Sequence, residues 1–246
     1  MSTVLITGAA GGLGVALVDV FVRHGFRVVA LDVVNRPDLP DGVDYHMVDL
    51  AQFVTDRAYA DAAVRSIDVT LGGAGLNALI NNAAVQILGS VDTLAREDWS
   101  TSLNVNVVAP FLLTQALLPK LESARGAVVN ISSIHAKLTK KNFVAYATTK
   151  AALSGMTRAM AVDLGGRVRV NAIEPAAIST EMLKAGFAEH PELYEHLERC
   201  HPIERIGHPV EVANAAYALV DDRLGFLHGE CISLNGGIGA RLYDPE

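Results

Sequence analysis

Several things are scarce in this chain of 246 residues. It has two cysteines, Cys200 and Cys231. That is too few for a disulfide framework or a cysteine-rich metal site. Aromatic residues make up 6% of the chain, so a pocket walled by aromatic rings gets little support, although aliphatic side chains could line one. Basic residues are outnumbered: 20 Lys and Arg stand against 27 Asp and Glu, for a formal net charge of −7. A nucleic-acid backbone or an anionic membrane is then a poor main partner. No uninterrupted apolar run approaches the ~18 residues of a membrane span. Met1-Ser2-Thr3 lacks the basic flank and cleavage site of a signal peptide. A reducing cytosol and no membrane are therefore expected. Internal repeats, low-complexity tracts and linkers are also missing. What remains is a chain 50% hydrophobic and 19% charged, long enough to bury a sizeable core as one domain over residues 1–246.

The apolar pattern alternates between short runs and helical stretches. Thr3-Val4-Leu5-Ile6-Thr7 reads as a buried parallel strand. Gly8-Ala9-Ala10-Gly11-Gly12-Leu13-Gly14 follows, then an amphipathic helix to about His24. Strand, glycine turn and helix together cradle a phosphate: glycines admit the pyrophosphate, and the helix N-terminus offers free N–H groups and partial positive charge. The second strand, residues 27–31, ends at Asp32. A carboxylate there accepts ribose hydroxyls and repels a 2′-phosphate, which favours NAD over NADP. Val33 and Val34 offer that phosphate nothing, and Arg36 sits in a proline-rich loop. About a dozen residues separate Asp32 from the third strand at 45–48. They are too few and too broken by proline for a normal crossover helix. Asp49 and Leu50 end that strand, a helix is expected over 52–66, and a fourth strand at 78–80 runs into Asn81-Asn82-Ala83-Ala84. A long helix over 96–118 carries Asn104 and Asn106, with Pro110 marking a kink or irregular turn. A fifth strand at 127–131, a sixth at 168–173 and a last at 231–234 are joined by helical stretches, the later ones at about 180–199 and 209–221. The alternation implies a Rossmann-like, doubly wound α/β sheet of about seven mostly parallel strands, with helices on both faces.

The chemistry is concentrated between Asn130 and Lys150. Tyr146 and Lys150 are four apart, so on a helix they share a face one turn from each other. Ser133 lies thirteen residues before Tyr146, across a loop. A phenol beside an ammonium, facing a hydroxyl, can pass protons, because a nearby cation favours the phenolate. Taken alone, a Tyr-x-x-x-Lys spacing also fits a half-buried tyrosine with a solvated lysine.

The ordered set is Thr7-Gly8-x-x-x-Gly12-Leu13-Gly14, Asp49-Leu50, Asn81-Asn82-Ala83, Asn106 between valines, Ser133, Tyr146-x-x-x-Lys150, and Pro175 followed by Thr180. With these motifs the chain resembles the short-chain dehydrogenase/reductase family over essentially its whole length. The resemblance implies that Tyr146 is the general acid/base and that Lys150 holds the nicotinamide ribose. It implies that Ser133 binds the substrate oxygen and that Asn106 organises a water linking Lys150 to solvent. Cofactor contacts are implied at Gly8, Gly11, Gly12, Leu13, Gly14, Asp32, Asp49, Leu50, Asn81, Asn82, Tyr146, Lys150, Ile178 and Thr180. A homo-oligomer, commonly a tetramer, is implied as well. Three positions depart from the family pattern. Ala84 and Ala176 stand where glycine is usual, and Glu174 before the proline is unusual, either facing the active site or forming an exposed turn acid.

Substrate is expected to meet Ser133, His135, Gln86, Phe143 and Met182, beneath a lid around 178–205. Ile134, Lys137, Ile87 and Leu183 are further candidates. His135, Lys137, Lys140 and Lys141 make their loop basic, which suits an anionic or polyhydroxylated substrate or is simply a solvated loop. No ligand cluster near His135 suggests a metal. The leading expectation is an NAD-dependent oxidoreductase that interconverts a secondary alcohol and its ketone. An NADPH-dependent carbonyl reductase and a non-catalytic dinucleotide-sensing regulator are the alternatives.

Overall fold

The structure, a computed structural model, describes residues 1–35 and 38–242, without the side chain of Met182. Arg36 and the last four residues of the tail lie outside the described residues. Along the described chain, β1 (Thr3–Thr7) leads through the glycine turn to α1 (Gly12–Arg23) and β2 (Arg27–Asp32). Then come β3 (Asp44–Met47), α2 (Leu50–Thr55), α3 (Arg57–Leu71) and β4 (Ala78–Asn81). Next are α4 (Arg96–Leu103), a π-helical turn (Asn104–Val108), α5 (Ala109–Ser123) and β5 (Ala127–Ile131). After a 3₁₀ turn (Ile134–Ala136) the chain continues with α6 (Val144–Leu164), β6 (Arg169–Pro175), α7 (Glu181–Ala185), α8 (Pro191–Cys200), α9 (Pro209–Val220) and β7 (Cys231–Leu234).

The strands form one seven-stranded sheet in the order β3-β2-β1-β4-β5-β6-β7. Every pairing is parallel, so the expected mostly parallel sheet is wholly parallel. The strands alternate in which face they fill. Val4, Ile6, Val129 and Ile131 pack with Leu17 and Phe21 of α1 and Val212 and Ala216 of α9. Leu5, Leu79 and Val128 pack on the other face with Ile67 of α3 and Leu113 and Leu117 of α5. Burial on both faces is why these strands read as continuous apolar runs. The strand order reverses between β1 and β4, which opens a crevice at the carboxyl ends of the strands.

Two expected helices are each broken in two. The 52–66 helix starts at Leu50 and stops at Asp56, which ends α2 and caps α3 by accepting from the Tyr59 N–H at 3.1 Å. One short side chain that can end one helix and start another outweighs the continuous apolar pattern. The 180–199 stretch divides into α7 and α8, with Pro191 opening α8, where its missing N–H costs nothing. The β2–β3 link carries no helix among its described residues. The Tyr45 hydroxyl, on β3, bonds the carbonyls of Asp32 and Val34 and closes that link.

The stretch Arg96–Ser123 is long and apolar enough, by composition, to cross a membrane. Its Leu113, Leu117 and Leu121 instead lie fully buried against the sheet.

Candidate active site

The glycine turn meets the steric demands of a nucleotide cradle. Gly8 has φ +66°, and a Cβ there would stand 2.7 Å from the Ala83 Cα. At Gly14 a Cβ would fall 2.0 Å from the Gly8 carbonyl oxygen. Gly11 caps α1 without any side-chain hydrogen bond, so the first N–H groups of the helix remain available to an anion. Leu13 packs against the core under the turn. Thr180 closes over Gly12, whose added Cβ would lie 3.2 Å from the Thr180 Cβ. These positions fit the pyrophosphate of a dinucleotide.

Asp32 is already turned toward this cradle. Its Oδ2 accepts from Ala10 N at 2.8 Å, and its Oδ1 from Val33 N at 2.7 Å. Asp49 caps α2, accepting from Ala51 N at 2.8 Å. The Leu50 side chain is 6% exposed and belongs to the core, so only its backbone remains for a ligand. Asn82 ties the cradle to β4, with Nδ2 donating to the Thr7 and Gly8 carbonyls at 3.0 Å each. Asn81 points elsewhere. Its side chain is 2% exposed and donates to Asn130 Oδ1 at 2.8 Å across the β4–β5 pair. The side chain braces the sheet, so its backbone is what remains for a cofactor. Strand alternation places Asn81 on the same face as Leu79, toward α6, whose Thr157 hydroxyl accepts from Asn130 Nδ2 at 2.9 Å. Ile178 pairs with Gly207 in an isolated bridge, which fixes the loop after β6.

The four expected catalytic residues converge at the carboxyl edge of β5. Asn106 sits in the π-helical turn, where the Ala109 N–H bonds the Asn104 carbonyl. Pro110 explains the turn: it has no N–H, so the Asn106 carbonyl lacks its α-helical donor. The Asn106 side chain is locked, accepting from Val85 N at 2.8 Å and donating to Val85 O at 2.9 Å and Thr149 Oγ1 at 3.0 Å. Thr149 in turn donates to the Tyr146 carbonyl at 2.9 Å. Thr149 was missed from the sequence. Its signal is a polar residue on the buried stripe of α6, three positions after Tyr146.

Lys150 is 2% exposed and donates from Nζ to the Ile131 carbonyl at 2.8 Å. Burial drops its ammonium to about 8. The Tyr146 phenol is raised by burial, an effect partly offset by its hydrogen bond with Ser133. The expected net depression by Lys150 is not what this geometry gives. Burial and Ser133 are the two influences on the phenol, with none from Lys150, whose Nζ lies 5.6 Å from the centre of the phenol ring. Ser133, 7% exposed, also accepts from His135 N at 3.2 Å and caps the 3₁₀ turn.

Around the phenol, the His135 ring stacks on Phe143 with centroids 4.4 Å apart and meets Tyr146 edge-on at 5.7 Å. Burial, and secondarily the Lys140 charge, push the His135 imidazole below its ordinary value, so it is neutral at pH 7. The Lys140 ammonium rests 4.8 Å over the Phe143 ring. Of the other substrate candidates, Gln86 lies exposed on the loop after β4, and the Met182 side chain lies outside the described residues. Glu174 is not an exposed turn acid: it is 1% exposed, and Lys137 pairs with it at 2.7 Å.

Comparison with known proteins agrees with this geometry. The family model described as enoyl-(acyl carrier protein) reductase matches residues 8–239. The chain belongs to the short-chain dehydrogenase/reductase family. Protein FixR of Bradyrhizobium diazoefficiens is 33% identical, covering 95% of this chain and 85% of its own. D-threitol dehydrogenase of Mycolicibacterium smegmatis is 31% identical over 95% and 91% of the two chains. The aldohexose dehydrogenase of Thermoplasma acidophilum, solved without ligand, superposes with a TM-score of 0.92 at 27% identity, over 100% and 96% of the chains. Family members bind a nicotinamide dinucleotide, and the cradle here fits one. Among the described residues, neither Ala84 nor Ala176 has a positive φ, so a β-carbon brings no strain where this family usually has glycine.

Proposed function

We propose that this protein is an NAD-dependent dehydrogenase that interconverts a secondary alcohol and its ketone, with Tyr146 as general acid/base. The observation that carries the reading is the Tyr146 phenol, whose rise on burial the Ser133 hydroxyl partly offsets, one helical turn from the buried Lys150 that is anchored to Ile131 at the carboxyl end of β5. The redox chemistry is that of the nicotinamide ring, which accepts or gives a hydride. In the oxidation direction the Ser133 and Tyr146 hydroxyls bond the substrate oxygen, and Tyr146 takes its proton as the carbonyl forms. Lys150 steadies the negative charge that develops on the phenol. The family resemblance implies that the proton then passes through Lys150 to a water organised by Asn106. Asp32 supports NAD over NADP, because a 2′-phosphate would meet a carboxylate already held by the Ala10, Val33 and Val34 N–H groups.

The same geometry favours a neutral substrate over an anionic one. Lys137 is taken by Glu174, Lys140 lies over Phe143, and His135 is held neutral. The names of the threitol and aldohexose dehydrogenases point the same way, toward a small polyhydroxylated alcohol. A homotetramer is the assembly the family resemblance implies, and sedimentation velocity would check it.

The test is a parallel fluorescence titration with NADH and NADPH, followed by a panel of polyols, sugars, hydroxy acids and apolar secondary alcohols with NAD. The reading expects tight NADH, weak NADPH, and turnover of neutral alcohols ahead of hydroxy acids. Binding of neither nucleotide would refute it, and preference for NADPH would make the reductase reading the better one.

A further inference from the structure

Glu174 is the last residue but one of β6, and its carboxylate is almost completely removed from water. A buried carboxylate costs several kcal/mol unless charge and hydrogen bonds compensate it. Here both oxygens are engaged. Oε1 accepts from Ser154 Oγ at 2.9 Å. Oε2 faces Lys137 Nζ at 2.7 Å, an ion pair whose angle is not that of a hydrogen bond. The chain of contacts continues inward. Ser154 Oγ lies 2.8 Å from Ser132 Oγ, and Ser132 Oγ reaches the Lys150 carbonyl at 3.0 Å.

A carboxylate accepts only, so the single proton of Ser154 goes to Glu174, and Ser154 must accept in turn. The one proton of Ser132 is then shared between Ser154 and the Lys150 carbonyl. The charge on Glu174 therefore sets the direction of a hydroxyl chain that ends on the backbone of the catalytic lysine. It also contributes, behind burial, to pushing the neighbouring Cys231 thiol upward.

The contacts of Glu174 bring three segments together. Ser132 and Lys137 flank Ser133 on either side. Ser154 lies one turn past Lys150 on α6. Glu174 belongs to β6. Between Ser133 and Lys137 there is only a single 3₁₀ turn, held by the Ala136 N–H to the Ser133 carbonyl at 2.9 Å and the Lys137 N–H to the Ile134 carbonyl at 3.0 Å. One such turn is marginal alone. Its far end is tied to the sheet by the ion pair.

We propose that Glu174 and Lys137 form a positioning clamp that holds the Ser133 loop against α6 and so sets Ser133 and His135 relative to Tyr146. Neither residue touches the reacting atoms, and the clamp rests on the proposed dehydrogenase reading for its effect on catalysis. It acts through the His135 ring, edge-on to the phenol ring at 5.7 Å, and through the Ser133 hydroxyl, which partly offsets the upward push of burial on Tyr146. The Lys150 ammonium also faces that phenol. The clamp does not touch it through a side chain.

The experiment compares wild type, Glu174→Gln, Lys137→Met and the double variant. Three readouts are taken: NADH titration, kcat with NAD and the best alcohol across pH, and amide hydrogen exchange. NADH affinity stays at the wild-type value in each variant. The value of kcat falls about tenfold in each single variant, the size of one well-placed hydrogen bond. The pH limb of kcat that reports Tyr146 moves upward, and the double variant falls no further than the worse single. The Ala136 and Lys137 amides exchange faster. Unchanged kcat and pH limb with only a lower melting temperature would overturn the clamp, as would losses that add in the double variant. Lys137→Met carries the test if Glu174→Gln fails to fold, because Lys137 reaches Glu174 from a half-exposed position. If wild type oxidises no alcohol, the dehydrogenase reading has failed on its own. Exchange then decides the clamp: faster exchange in Lys137→Met supports it, and unchanged exchange overturns it.

Discussion

Lys150 is the residue whose chemistry and folding are most opposed. Burial lowers its ammonium from 10.5 to about 8. That difference corresponds to about 3 kcal/mol, at roughly 1.4 kcal/mol for each tenfold change in proton affinity. The sign follows from linkage. The folded value lies below the unfolded one, so between pH 8 and pH 10.5 the unfolded chain binds more protons than the folded chain. Below pH 8 the full cost of the buried charge is present, and it is relieved as the pH rises toward 10.5. Replacing Lys150 by Met removes this dependence. It also leaves the Ile131 carbonyl without its 2.8 Å donor, a loss of about 1–3 kcal/mol that does not vary with pH. The stability of Lys150→Met relative to wild type should therefore decline by most of those ~3 kcal/mol between pH 7 and pH 10. Urea unfolding of both proteins at several pH values reads this directly. A difference that stays constant across the range would show that Lys150 is not desolvated as this structure has it.

Three further outcomes follow from the site. Asp32→Ala removes the carboxylate that faces a 2′-phosphate, so NADPH binding should tighten while NADH binding weakens about tenfold, as parallel titrations would show. Gly14→Ala would drive a β-carbon to 2.0 Å from the Gly8 carbonyl oxygen. The turn must then rebuild, so NADH binding should be lost with a lower melting temperature. Tyr146→Phe keeps the ring and its contacts with His135 and Phe143, so NADH binding should persist in titration while turnover falls by at least about a hundredfold.

Much of the site was legible because its residues are fixed by local geometry. The four-residue spacing of Tyr146 and Lys150 needs only a helix, and Pro110 announces the irregular turn that carries Asn106. The glycine turn declares itself through the strand before it and the helix after it. Where the reading fell short, the deciding contact lay far away in sequence. Glu174 could be flagged as unusual, but its burial depends on Lys137 folding back from the loop 37 positions earlier. Asp56 gave no sign that it would both end and begin a helix. Asn81 is a different case: the two-residue alternation of β4 already placed its side chain beside Leu79 on the α6 face, where it bonds Asn130. The basic loop could be read either as an anion site or as a solvated loop, because the partners of Lys137 and Lys140 are set by tertiary packing.

In the proposed reaction Tyr146 moves the proton while the nicotinamide of a dinucleotide, its pyrophosphate held in the glycine cradle, moves the hydride. The most direct measurement is single-turnover formation of NADH from NAD and a secondary alcohol, comparing wild type with Tyr146→Phe at matched nucleotide saturation. The account predicts a burst of NADH in wild type and almost none in the variant, with both proteins binding NADH equally well. An equal burst in both would contradict it.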